Sequence, residues 1–453
     1  MNINDNFRFL CMGLPDDIRR KKECGDFDGA VRLIDKKLAG GKLPEALCRS
    51  LTVQREILLR LSQDYPYSRA AAIAQIQSKI ADFIEAEFDS LVEEGRIDWI
   101  YVQGQQHFFS RFFASLCKTD RVFAARAGEP WDEGTISPRE VAANFVKEKG
   151  EVSARVRCRA ELHIKEEAFV KGEKVRACLP LPVACDSQSD ICIEYANPKP
   201  SCITPENSPQ RVIYWEQTMQ ENTPFTVEFS YTRTAKYHDL ENPATTSERP
   251  NFDTEEVAPH IMFTPYLRAL TAELTDGVEQ PLEKARKIYD YITENVTYAF
   301  QPAYFGIENI AEGCARNLRG DCGVMALLFI TLCRCAGVPA RWESGWYVEP
   351  GSSGAHDWAQ FYAAPYGWLY ADTSFGTGAV RAGNEPLRRF YFGNLEYYRM
   401  AANTEFQADF AVPKDHWRVD PYDNQLGEIE FVERGLRGEE FECKKEILSL
   451  ELL

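Results

Sequence analysis

Three short stretches decide how this chain is read: Arg319-Gly-Asp-Cys-Gly323, Ala355-His-Asp-Trp358 and Gly367-Trp-Leu-Tyr-Ala-Asp372. Gly320-Asp321 has the form of a turn and a helix N-cap. Cys322 then opens the apolar run Val324-Met-Ala-Leu-Leu-Phe-Ile330, which continues to Cys335 before Gly337 and Pro339 stop it. A helix apolar nearly all round is expected to be central and buried. A thiol in its first turn meets free N–H groups and the positive end of the helix dipole, which stabilise a thiolate and lower its pKa from about 8.5. Such a cysteine becomes a nucleophile usable near neutral pH.

Downstream, Glu349-Pro-Gly-Ser-Ser-Gly354 and Ala364-Pro-Tyr-Gly367 read as turns. They separate three strands: Arg341–Val348, then His356–Tyr362 starting at the histidine, then Trp368–Ala371, which delivers Asp372 at its end. Two successive hairpins would set His356 and Asp372 on neighbouring antiparallel strands. The histidine can deprotonate Cys322 or hold it as an ion pair, while the aspartate accepts the second ring N–H and fixes the tautomer.

Upstream, the period of Ala285, Ile288, Tyr289 and Ile292 predicts a helix over Pro281–Asn295, followed by Val296–Tyr298 and a loop with Gln301, Tyr304 and Phe305. His238–Arg249, polar and interrupted by Pro243, reads as a linker. Before it, Val152 to Ile164 alternates almost without a break, as a half-buried antiparallel strand does. Shorter strands are expected at Val175–Leu181, Ile191–Tyr195, Val212–Trp215 and Phe225–Thr232, which together suggest a small β-sandwich. Pro130, Gly134 and Pro138 punctuate the chain ahead of it. Earlier still the pattern is helical: Ala30–Leu38, Leu47–Leu61, a helix capped by Ser68 and ended by Gly95, and an apolar face formed by Phe108, Phe109, Phe112, Phe113 and Leu116. These helices could be a partner-binding platform or simply pack on their neighbour.

The resulting expectation is an α+β protein of four parts: a helical domain over 1–135, a β-sandwich over 140–240, a catalytic core over 250–400, and a C-terminal extension over 401–453 packed on the core. With 453 residues and 44% hydrophobic residues, the chain can bury large cores. A net charge of −17 and the lack of a Lys/Arg patch argue against nucleic acid as a partner. No apolar run approaches the roughly 18 residues of a membrane span, and the first residues lack the apolar core of a signal peptide. A cytoplasmic protein with no membrane partner is expected, its 14 cysteines reduced thiols.

Cys333 and Cys335 point to different faces of one helix and are expected to be buried. Cys178, Cys185, Cys192 and Cys202 lack the regular spacing of a zinc site, so neither metal nor cofactor is expected. His107, His163, His238, His260 and His416 have no partner pattern. Phe390–Asn394 and Arg418–Gln425, rich in aromatics and side-chain amides, could wall a cleft or belong to a loop-rich extension.

Gly320-Asp-Cys-Gly323, Ala340-Arg341 followed by Ser344-Gly345, His356-Asp-Trp358 and Gly367-Trp-Leu-Tyr-Ala-Asp372 resemble the three motifs of the transglutaminase-like superfamily, over Pro259 to Phe392. The resemblance implies a papain-like core with a Cys322–His356–Asp372 triad, serving in protein cross-linking, peptide or amide hydrolysis, or deglycosylation. A β-sandwich ahead of the core is similar to the arrangement in some members. The resemblance also implies an upstream side chain that helps the cysteine N–H bind the oxyanion. Tyr298, Gln301 and Tyr304 all lie near the right place. Trp358 and Trp368 are candidates for the substrate cleft or the core. The paired Cys-x-x-Cys motifs of the deglycosylating branch and a calcium loop are both missing.

The expected activity is therefore that of a cysteine hydrolase acting on a peptide, protein or other amide-containing substrate through a thioester. If an amine resolves the thioester, the same site is a transglutaminase. In a third reading the helical region is the functional part and the triad fold its scaffold.

Overall fold

The computed structural model describes the chain except residues 1–3, 132–135, 242, 245–247 and 249. Gly134 and part of the expected linker lie outside the described residues. The protein is α+β, and it divides into two units: residues 1–135 with 256–264 and 295–328, and residues 136–255 with 265–294 and 329–453. The two interleave along the chain, whereas the sequence suggested four consecutive parts. One boundary falls inside the helix Cys322–Cys335.

In the first unit, apolar periodicity finds the early helices. Phe27–Ala39 is capped by Asp26, whose carboxylate accepts the Gly29 N–H at 2.9 Å. Glu45–Asp64 buries Leu51 and Leu58 in one cluster with Ile18, Ala30 and Ile34. The single helix expected from Ser68 to Gly95 is two, Arg69–Gln77 and Glu85–Glu93. Ser68 caps the first, accepting from the Ala71 N–H at 3.4 Å. The break is made locally: Gln77 Nε2 donates to the Phe83 carbonyl at 3.0 Å, and the Glu87 carboxylate accepts the Ile84 N–H at 3.1 Å to start a new helix. Ile80 and Phe83 stay buried inside the break, so the helical period runs through it undisturbed.

The face from Phe108 to Leu116 is divided too. Trp99–Val102 and Gln105–Phe108 form a hairpin turning at Gln103 and Gly104, with φ of 51° and 78°, and a helix begins only at Phe112. Two successive positive φ values match the twist of a tight hairpin.

The core of the second unit is a five-stranded antiparallel sheet, in the order Phe392–Gly393, Gly367–Ala371, Ser352–Ala363, Ala340–Glu349, Arg399–Asn403. The histidine strand starts at Ser352, so His356 lies inside it rather than at its start. Glu349 pairs with Ser352, leaving only Pro350 and Gly351 to turn, with Gly351 at φ 79°. The small polar residues Ser352-Ser-Gly354, read as loop, extend the strand instead. Gly345 is paired with His356 on one side and Ala401 on the other. A Cβ at Gly345 would meet the Met400 carbonyl oxygen at 2.0 Å, which is why a glycine stands there.

Two four-stranded antiparallel sheets make the sandwich. Along Glu151–Ile164 the even-numbered residues are buried and the odd ones face outward, as the alternation required. Six of the eight strands lie between Glu151 and Lys236; the other two come from the tail. Glu428–Phe431 pairs with Lys174–Pro180, and Phe441–Leu452 pairs with Glu151–Ile164. Glu428–Phe431 and Phe441–Leu452 are therefore strands of the sandwich, while the segment ahead of them packs on the core sheet. A further helix, Pro138–Lys149, precedes the sandwich where punctuation was read; Ser137 caps it through the Glu140 N–H at 3.2 Å.

Candidate active site

The thiol end is assembled from one loop and one helix start. Thr297–Tyr298 runs parallel to Arg319–Gly320, and a Cβ on Gly320 would come within 2.7 Å of Val324 Cγ1, so the chain can enter the helix only through a glycine. Asp321 is the N-cap: Oδ1 accepts the Val324 N–H at 3.2 Å and its carbonyl accepts the Met325 N–H at 3.0 Å. The Tyr304 hydroxyl donates to Asp321 Oδ1 and accepts the Gly323 N–H at 3.1 Å. N–H groups that a helix start leaves over are thus used, and the first turn is fixed. Burial pushes the Asp321 carboxyl up to about 6, against the opposing pull of the Tyr304 hydroxyl, the Val324 and Gln301 N–H groups and Arg111. Cys322, half-buried and outside any disulfide, opens the helix; Val324 to Ile330 behind it are each 0–2% exposed.

The histidine end is built from buried charge. His356 Nε2 lies 2.7 Å from Asp372 Oδ2, both side chains being buried. A ring nitrogen facing a carboxylate carries the proton, which makes Nδ1 the basic nitrogen. Asp372 also caps the helix Thr373–Arg381, its Oδ1 accepting the Phe375 N–H at 2.9 Å and the Ser374 hydroxyl at 3.2 Å. Arg399 Nη1 donates to Asp372 Oδ2 at 2.9 Å, and the same guanidinium holds Glu396 through Nε at 2.9 Å and Nη2 at 3.2 Å. Asp372, Arg399 and Glu396 are all fully buried.

Burial alone would raise the Asp372 carboxyl, but the His356 and Arg399 charges outweigh it and hold the group well below the usual carboxylate range. Burial lowers the His356 pKa; Asp372 opposes that, and Arg399 and Arg139 add to it. The Phe375 ring stacks on the imidazole at 4.2 Å, and the Arg139 guanidinium stands 4.3 Å from that ring's centre.

The tail fixes the strand that carries the histidine. Gln425 Nε2 donates to the His356 carbonyl at 3.0 Å and to Asp357 Oδ1 at 2.6 Å, while the Gln425 carbonyl accepts the Trp346 indole N–H at 2.8 Å. Ser344 donates to Asp423 at 2.6 Å, and Asn403 Nδ2 donates to Ser344 Oγ and the Asn424 carbonyl. Of the two readings of Arg418–Gln425, the segment is thus a support under the sheet.

His356 and Asp372 are brought together, and Tyr304 is brought to the first turn of the cysteine helix. Trp358, Trp368 and Tyr298 go elsewhere. Trp358 is fully buried with its indole N–H on Glu343 Oε2 at 2.6 Å, so it belongs to the core and does not line a cleft. Trp368 lies under Arg341, whose guanidinium is 4.0 Å from its ring centre. Tyr298 is buried beneath Lys118, 4.0 Å from its ring centre. Gln301 is half-buried, donating to the Ala299 carbonyl at 3.1 Å and the Phe300 carbonyl at 3.4 Å of its own loop.

The sequence reading missed Arg399, Glu396 and Arg139. Glu396-x-x-Arg399 is an ordinary spacing, and nothing local marks it as buried. Among the described residues, no group of three or more His, Cys, Asp or Glu is placed to hold a metal ion, and no helix is long and apolar enough to cross a membrane.

Residues 268–373 match the model of the Transglutaminase-like superfamily. A relative in Bacillus subtilis (strain 168), the uncharacterized protein YebA, is 26% identical over a 132-residue alignment that covers 24% of this chain and 17% of YebA's own length. Among solved structures, a candidate cysteine protease from Cytophaga hutchinsonii is 17% identical and covers 66% of this chain and 91% of its own, with a TM-score of 0.40. The periplasmic domain of TgpA from Pseudomonas aeruginosa is 15% identical, covers 55% of this chain and 95% of its own, and has a TM-score of 0.29. The segment at residues 268–373, which holds the histidine strand and the aspartate-bearing strand beside it, is thus transglutaminase-like.

Proposed function

We propose that the chain is a cytoplasmic cysteine hydrolase of amide, peptide or isopeptide bonds, with Cys322 as nucleophile, His356 as base and Asp372 as its orienter. The observation that carries this reading is the buried His356–Asp372 pair, which commits Nε2 to the carboxylate and makes Nδ1 the proton acceptor. His356 takes the thiol proton, and the Cys322 thiolate forms a C–S bond at the substrate carbonyl carbon. As the tetrahedral oxyanion collapses, the C–N bond breaks and imidazolium gives its proton to the leaving amine. Water, deprotonated by His356, then attacks the thioester and releases the acid and the thiol.

The Cys322 N–H is one donor to the oxyanion, and Gln301 the other. Of the three upstream candidates, Tyr304 has given its proton to Asp321 and Tyr298 is buried under Lys118, whereas the Gln301 backbone N–H reaches Asp321, beside Cys322, and its side-chain amide bonds carbonyls of its own loop.

The test is thiol reactivity. Iodoacetamide near neutral pH is expected to label Cys322 ahead of the other cysteines, with the label lost in Cys322→Ala. A Cys322 that reacts no faster than a free cysteine sinks the reading. Rapid-quench mass spectrometry of the acyl group on Cys322 then names the acyl donor, and an added amine appearing in the product would turn the hydrolase into a transferase.

A further inference from the structure

The second unit contains a cavity of about 120 Å³, with Ser187, Arg233, Lys236, His238, Trp368 and Tyr370 in its wall. Against the roughly 10–15 Å³ that one water needs, this is room for an ion the size of phosphate or sulfate. Arg233 is 1% exposed, and its Nη1 has no hydrogen-bond partner among the described residues. Among the described residues its ion pair is through Nη2, with Glu343 at 3.9 Å. A buried guanidinium N–H with nothing to bond is a strong unmet demand for an acceptor, and the planar fork suits an oxyanion or a carboxylate.

The wall offers further donors, although Asp186 also stands in it. Lys236 lies on the other face of its strand, with its ammonium on Glu151 at 3.3 Å, and is not one of them. Ser187 Oγ and Tyr370 Oη lie 2.6 Å apart, so one of the two hydroxyl protons is spent between them and the other can be donated. None of these residues belongs to the His356–Asp372–Arg399 network.

We propose that this cavity binds a small oxyanion group, with Arg233 as its principal donor and the Ser187–Tyr370 hydroxyl pair as its second. A free inorganic ion and the terminal carboxylate of a peptide share that chemistry. Trp368 in the wall supplies the readout. The full-length protein is titrated at constant ionic strength with inorganic phosphate, with acetylglycylglycine and with its amide, each against chloride, following tryptophan fluorescence and thermal melting.

A saturable response is expected, weakened roughly two- to fivefold by Ser187→Ala and at least about tenfold by Arg233→Lys. A response to phosphate alone assigns a free ion; a response to the acid but not the amide assigns a carboxylate end. Should Arg233→Lys fail to fold, Ser187→Ala combined with Tyr370→Phe decides. The site is overturned if the wild type shows no saturable response to either anion, or if that double variant leaves the response unchanged.

Discussion

Around Cys322 the supports are close in sequence and mostly grip backbone: Asp321 holds the Val324 N–H three residues on, and Tyr304 reaches Asp321 from 17 residues back. Around His356 they are far apart and charged. Asp372 is 16 residues from the histidine, Arg399 is 27 from Asp372, and Gln425 is 69 from His356. The difference teaches that one end is held by a helix start that any short peptide could encode, the other by buried charges that are stable only together. Losing one member should therefore be mild at the thiol end and severe at the histidine end.

The largest expected effect is on catalysis. Asp372→Asn lets an amide N–H face Nε2 and moves the ring proton to Nδ1, the wrong tautomer for a base. By the size of that effect in other triads, kcat/KM for an amide substrate should fall roughly four orders of magnitude. A fall of less than about tenfold would show that Asp372 serves the helix cap and not the histidine.

Next in size is Arg399→Met, which leaves Asp372 and Glu396 buried without their cation. Urea unfolding should report a loss of about 3–5 kcal/mol. A loss below about 1 kcal/mol would erase the contrast between the two ends. Tyr304→Phe, in comparison, removes one donated and one accepted bond at the helix start and should cost about 1 kcal/mol in the same measurement.

Acidification should sharpen the contrast, because it acts on the two ends in opposite senses. Asp321 is raised from 3.8 to about 6, so what it contributes to stability is complete below 3.8 and is lost as pH rises through about 6. Asp372 and His356 are both lowered. Their contributions are complete above the unfolded values of about 3.9 and about 6.5 and are lost as pH falls toward the folded ones. Asp321→Asn should therefore gain on the wild type between about pH 4.5 and about pH 7.5 in urea melts. An unchanged difference would mean that burial does not act on that carboxyl.

Much of this was legible in the chain because it is written locally. The cysteine helix, its cap, the two hairpins and the alternation of Val152–Ile164 all announce themselves within a dozen residues. What escaped is what depends on a distant partner. Phe441–Leu452 alternates only loosely and acquires its role from Glu151–Ile164, and Arg399 looks like any surface arginine until Asp372 and Glu396 close on it. The break between Gln77 and Glu85 escaped for another reason: its apolar residues kept the helical period while side-chain amide and carboxylate bonds ended the helix.

The strand Phe441–Leu452 has a consequence for how the protein is made. It lies antiparallel along nearly the whole of Glu151–Ile164, almost three hundred residues earlier in the chain. During synthesis at roughly 5–20 residues per second, that early strand waits many seconds as an open sheet edge. An exposed edge is a template for pairing with another chain. The nascent protein therefore passes through a window of aggregation risk that closes only when its last strand docks, and ribosome-bound chains stopped before residue 441 should be the ones that need a chaperone.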